Sequence, residues 1–317
     1  MNQDIKHYDK IVDTNCTNYI IKLIKEKPKN WIKHFVSNNR FVNIDTNNFY
    51  AVNHYNSLYL QTFKEMNQVK SRVIGTKKQW LNKDLKVKDN ATPIYLKRLL
   101  FDDDRIIGCK AYKSYFADDV ENYDSLNINE DEIFKLNKYN ECELFNKYIS
   151  NCNVKINYHK DGIAYYRTSD HSINLPYKEQ FTDDLRRSQV TAHENGHATM
   201  KPNKKFKWNG RNRDDIAKKY EFDDYKSYGF EELVAELYAS FLLNSLNIEL
   251  ADQIHGFDKN HTAYLQSWLG SLENNTSYIK SAIKLSSDAL RYTHSMQDKE
   301  VKKIIKTVKF KGINNEK

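Results

Sequence analysis

The chain has 317 residues, 39% hydrophobic and 13% aromatic, which excludes a disordered chain and leaves room for two globular cores. Its formal net charge is +8, and no run of about 18 apolar residues is present, so a membrane-spanning helix is not expected. Cys16, Cys109, Cys142 and Cys152 form no C-x-x-C pair, which speaks against a disulfide scaffold or thiolate metal site and fits a reducing compartment. The opening MNQDIKHYDK lacks the apolar core of a secretion signal, so the expectation is a cytoplasmic protein without membrane partners.

Residues 8–36 read as helix, with Ile11, Ile20, Ile21, Ile24, Trp31 and Ile32 at helical spacing and an interruption at Pro28. From residue 40 to 117 the pattern is mixed, with strand-like runs at 41–44 and 105–109, which predicts a small α+β domain. Its basic stretch is concentrated. Between Lys64 and Arg98 ten cations stand against Glu65, Asp84 and Asp89, with Phe63, Trp80 and Tyr95 interleaved. Cations that follow phosphates, beside rings that stack on bases, suit single-stranded nucleic acid; the alternative is an ordinary lysine-rich surface. The candidate DNA contacts are Lys64, Lys70, Arg72, Lys77, Lys78 and Trp80.

The acidic, Asn-rich residues 117–131 are the linker candidate and place a domain boundary between residues 125 and 126. A helix over 132–149 is expected next, then strands at 154–158, 164–166 and 173–175, with Pro176 marking the last as an edge strand. Thr182, Asp183 and Asp184 cap a helix running to about Met200. That helix carries the most informative motif, His193-Glu194-Asn195-Gly196-His197. Residues i and i+4 share a helix face, so both imidazoles can grip one metal ion, and Glu194 can act as base on its bound water.

A catalytic zinc needs a third protein ligand. The apolar helix around Phe230-Glu231-Glu232-Leu233-Val234-Ala235-Glu236 supplies candidates. Glu232 is assigned as ligand and Glu236 as acceptor of a ligating imidazole's free N–H, with Glu231 as the alternate ligand. The donor set suits Zn2+ and also accepts Mn2+ or Co2+. Tyr165, Tyr166 and Tyr228 are candidates for an oxyanion-stabilising hydroxyl, and His171 for a substrate contact. The charged residues 202–226 read as a connecting loop, and the lysines from 302 to 311 as a frayed tail.

HENGHAT followed by YGFEELVAELYASFLL resembles the metallopeptidase half of the ArdC-type antirestriction proteins, found on conjugative plasmids and phages. Residues 166–181 (YRTSDHSINLPYKEQF) resemble the strand that precedes the family's HExxH helix and borders its cleft, where an extended peptide can pair. Looser N-terminal matches lie at 48–53, 58–65 and 113–117, with Ala51, Tyr59 and Glu65 departing from the usual Gly, Trp and Gln. Ser267-Trp268-Leu269 and the helix over 277–294 match the closing helices. The resemblance implies a single-stranded-DNA-binding domain over 1–125 and a zincin-like metallopeptidase domain over 126–317. In it His193, His197 and Glu232 hold zinc, and Glu194 is the catalytic base. Two rivals accompany this expectation: a strand-coating protein with a purely structural metal, and a metalloprotease regulator acting on a protein partner.

Overall fold

The computed structural model describes residues 3–26, 40–50, 55–102, 105–130, 141–246, 248, 269–270, 273 and 277–307. Pro28, Trp31, Ile32, Ala51 and Ser267-Trp268 lie outside them, as do Lys309 and Lys311. The described residues form two compact α+β units, one up to residue 130 and one from residue 141 onward.

The first unit opens with helix α1 (Gln3–Glu26). Its buried face, Val12, Cys16, Ile20, Leu23 and Ile24, follows the three-and-four spacing of one helix side. It packs on α2 (Tyr55–Met66) and on the hairpin of β3 (Ile94–Asp102) and β4 (Arg105–Phe116). Around Tyr59 and Phe63 the rings of Tyr19 and Phe116 close the packing, with Phe63 and Phe116 stacked at 5.7 Å. Two short strands, β1 (Val42–Asn43) and β2 (Val73–Gly75), complete a sheet of order β1-β2-β4-β3. β1 runs parallel to β2, and the other neighbours are antiparallel. The run at 105–109 is therefore the start of a much longer strand, with a bulge between Leu100 and Phe101 on its partner.

Trp80 corrects an expectation. It sits on α3 (Lys77–Leu81), a five-residue helix closed by a Thr76/Gln79 capping box. Its ring is fully buried among Val42, Ile44, Val73, Leu85, Val87 and Val120, and its indole N–H donates to the Tyr115 carbonyl at 3.2 Å. It is a core residue and cannot stack on a base; Phe63 is buried likewise. Lys64 is also engaged, its ammonium donating to the Val69 carbonyl and to the Lys70 carbonyl at 2.9 Å. Lys70, Lys77 and Lys78 are exposed, and Arg72 is half-buried with its N–H on Glu130.

The proposed linker is structured through residue 130. Ala117 and Val120 are buried in the Trp80 cluster, and Tyr123, Leu126 and Ile128 pack against it. Asp118 and Glu130 accept backbone N–H bonds from residues 70–72. The apolar residues were spaced too widely among Asn and Asp to stand out.

The second unit starts with α4 (Glu141–Ser150) and a sheet of order β5-β7-β6, from β5 (Lys155–His159), β6 (Tyr165–Arg167) and β7 (Ser172–Pro176). β7 is paired on both sides, parallel to β5 and antiparallel to β6, so it is the central strand and not an edge. Pro176 is its last residue, where a missing N–H costs the ladder least. Helix α5 (Asp184–Ala198) lies on β6 and β7, and α7 (Asp224–Ser245) packs across α5. α7 is buried nearly all round, covered also by α6 (Arg213–Tyr220) and α8 (Ser277–Met296). The region read as a loop thus contains α6, and Lys302, Lys303 and Lys306 lie on a further helix, α9 (Lys299–Thr307), anchored by buried Val301.

Candidate metal centre

Asp183 starts α5, its carboxylate accepting the Arg186 N–H at 2.7 Å. Three turns on, His193 and His197 project from one face toward α7. The helices approach closely there because residue 196 is glycine. A Cβ on it would stand 2.9 Å from Ala235 Cα and 3.1 Å from Tyr238 Cδ1, closer than atoms pack. Asn195 fixes the rotation, donating to the Tyr238 hydroxyl at 2.6 Å.

The two Nε2 atoms stand 3.2 Å apart. Glu232 reaches both, with Oε2 3.2 Å from His193 Nε2 and Oε1 3.4 Å from His197 Nε2. Among the described residues this is the one His/Cys/Asp/Glu trio with donor atoms within 4.8 Å of each other. The fit to a metal is quantitative. Ligands about 2.0–2.1 Å from a tetrahedral ion are separated by about 3.3 Å, which is the spacing found.

Each imidazole is held at its other nitrogen by a separate acid. His193 Nδ1 lies 3.0 Å from Glu236 Oε2, and His197 Nδ1 lies 3.4 Å from Glu231 Oε1. With Nδ1–H donated to a carboxylate, the tautomer leaves each Nε2 with a lone pair aimed at the centre. Glu231, the alternate ligand on sequence, therefore serves His197 from behind. It is neutralised by Arg211, which ion-pairs with it while donating to the Gly196 carbonyl at 3.0 Å and to Thr199. Both partners are almost fully buried.

Electrostatics follow from this packing. Burial opposes charge on the imidazoles, but Glu232 and Glu236 raise His193 well above its ordinary value, and Glu231 with Glu232 raise His197 to about 9. Burial likewise opposes charge on Glu232, yet the two imidazoles hold it far below the usual carboxylate range. Burial also works against ionised Glu231, and Arg211 and His197 keep it below its ordinary value. A pre-ionised carboxylate between two nitrogen donors is an arrangement that a divalent cation completes by displacing protons. Glu194 is buried on the same turn as His193.

Arg211 was missed because it sits in the charged stretch read as a connecting loop. The remaining candidates each have a partner of their own. The Tyr165 hydroxyl accepts from Arg167 at 2.9 Å, Tyr166 bonds His171 Nδ1 at 2.9 Å, and the Arg213 guanidinium lies over the Tyr228 ring at 5.7 Å. Lys70, Lys77 and Lys78 belong to the first unit.

Residues 143–284 match the family model of a zincin-like metallopeptidase, MPTase-PolyVal. No curated protein matches the chain. Among solved structures, the Mn(II)-bound antirestriction protein ArdC of plasmid R388 superposes with a TM-score of 0.64 at 21% identity, covering 90% of this chain and 97% of that one. The metal-free structure of the same protein gives 0.59 at 20% identity, covering 89% and 96%. The chain thus shares the ArdC fold along most of its length, and its region matching the zincin-like metallopeptidases is the one that carries His193, His197 and Glu232.

Proposed function

We propose that the chain is an antirestriction-type protein that joins a divalent-metal peptidase site in its second unit to single-stranded DNA binding by its first. The observation that carries the peptidase reading is the convergence of His193 Nε2, His197 Nε2 and the Glu232 carboxylate at metal-ligand spacing. A zinc ion held there would polarise a peptide carbonyl and bring the pKa of a bound water close to neutral. Glu194, next to His193 in sequence, takes the proton of the attacking water and returns it to the leaving amine. Glu236 and Glu231 fix the imidazole tautomers, and Arg211 lets Glu231 stay ionised without an unpaired buried charge.

The sheet offers a place for the substrate backbone. β6 pairs with β7 on one side only among the described residues, and it packs against α5. An extended peptide added to β6 lies along the metal helix, the role that the sequence had given to β7. For the DNA half, support comes from the basic balance of residues 64–98 and from exposed Lys70, Lys77 and Lys78. No helix among the described residues is long and apolar enough to cross a membrane.

Glu194→Gln tests the chemistry. The variant is expected to retain one equivalent of metal by elemental analysis while losing cleavage of an unstructured protein substrate. Undiminished cleavage in that variant refutes the role of Glu194, and a His193→Ala protein that still binds the metal refutes the centre.

A further inference from the structure

A pocket of about 360 Å3 opens in the first unit, lined by Asn43, Thr76, Gln79, Arg98, Lys110 and Tyr112. Its size suits one small organic ligand. Two of its lining residues form an unusual pair. Arg98 and Lys110 are direct partners across the β3–β4 ladder, both exposed, and among the described residues neither is paired with a carboxylate. Like charges placed directly opposite on neighbouring strands destabilise a sheet, whereas an anion bridging them reverses the sign. Two cations held in register, one of them a guanidinium, fit a phosphate.

The other lining residues have a different chemistry. Gln79 Oε1 accepts from Asn43 Nδ2 at 3.2 Å and from the Thr76 N–H at 2.9 Å, which fixes the amide's orientation. Gln79 Nε2 gives one hydrogen to Asn43 Oδ1 at 3.2 Å and keeps a second N–H that no atom of the described residues takes. Tyr112 adds a half-buried ring, tied to Tyr50, which also bonds Asn43. Lys77 and Lys78, both exposed, adjoin Thr76 and Gln79 in sequence and extend the positive surface.

We infer that this pocket binds a single nucleotide, with its phosphate bridged by Arg98 and Lys110, its base beside Tyr112, and a base carbonyl accepting the spare Gln79 N–H. Thymine, guanine and cytosine offer such a carbonyl, and adenine does not. The source is a nucleotide of a single strand or a free nucleoside monophosphate. Only the first source rests on the DNA-binding reading above.

The experiment uses the full chain and two probes: a fluorescein-labelled oligothymidylate of about twelve nucleotides, followed by anisotropy, and thymidine 5′-monophosphate, followed by calorimetry. Arg98→Ala/Lys110→Ala is expected to weaken oligothymidylate binding about tenfold or more and to flatten its salt dependence by about 0.7 in logarithmic slope for the phosphate lost. The same charge change made in the second unit, at exposed Lys155 and Lys218, leaves the affinity as it was. An oligoadenylate of equal length binds the natural chain more weakly. Thermal melts accompany each variant. The double variant should melt no lower than the natural chain, since it removes a repulsion, and Arg98→Gln alone carries the test if it does.

Oligothymidylate affinity unchanged by Arg98→Ala/Lys110→Ala overturns the pocket and leaves the DNA-binding reading standing. Thymidylate binding that needs Arg98, in a chain with no affinity for the strand, supports the pocket and sinks the DNA-binding reading. Failure of both probes sinks both.

Discussion

Gly196→Ala is the sharpest test of how the metal centre is built. The added methyl would lie 2.9 Å from Ala235 Cα and 3.2 Å from Ala235 Cβ, where carbon atoms normally pack at about 3.5–4.0 Å. The nearest atom is backbone, so no rotamer change relieves it. The two helices must part by roughly 0.6–1.1 Å, the difference between those contact distances. A compensating Ala235→Gly rescues little, because the Cα remains. Overpacking of this kind costs about 1–3 kcal/mol, and replacing an interior helical glycine with alanine returns about 1 kcal/mol. Net destabilisation is therefore modest, about 0–2 kcal/mol.

The effect on the centre is larger. His193 and His197 ride on one helix and Glu232 on the other, at separations of 3.2 and 3.4 Å. Metal sites tolerate deviations of only about 0.2 Å, so parting the helices removes the carboxylate from reach. The expected outcome is a loss of zinc affinity of about 10–100-fold, as for other disturbances of a metal's immediate surroundings. Competition against a chromophoric chelator measures it, with urea melts of the metal-free protein beside it. Unchanged zinc affinity in a folded Gly196→Ala protein would refute the claim that this close approach sets the ligand spacing.

Arg211→Leu leaves Glu231 ionised and buried without its partner, at a cost of about 3–5 kcal/mol in urea unfolding; Arg211→Lys should recover part of it. Trp80→Phe removes the indole bond to the Tyr115 carbonyl and some ring volume, costing about 1–3 kcal/mol, while single-strand affinity stays unchanged because the ring never faced solvent. For the metal-free protein, His197 is raised above its unfolded value of about 6.5 to about 9, since Glu231 and Glu232 outweigh the burial that opposes its charge. That contribution is complete below the unfolded value and disappears as pH rises through about 9, so chelated protein should melt lower at alkaline pH. With metal bound the imidazoles are neutral throughout, and the alkaline loss should shrink.

What the sequence displayed and what it hid divide along one line, the range over which the physics acts. His193 with His197 and Glu232 with Glu236 are each four residues apart on one helix, so a shared face was legible without knowing the fold. The pairing of Glu231 with His197 and Arg211 was not, because three separate segments meet there and no periodicity links them. Trp80 misled for a related reason. Its neighbour Lys78 is solvated, but two positions on the chain has turned to the opposite side of the helix, so proximity to lysine says nothing about which side a ring takes. Pro176 pointed to a sheet edge, yet at the end of β7 it interrupts no bond that the central strand needs. The same limit explains Arg98 and Lys110. They are twelve residues apart, with Asp102, Asp103 and Asp104 between them, and only the hairpin register sets them face to face. A feature created by register is invisible to spacing, so the pairing that sequence reading passes over is where an unassigned anion site can reside.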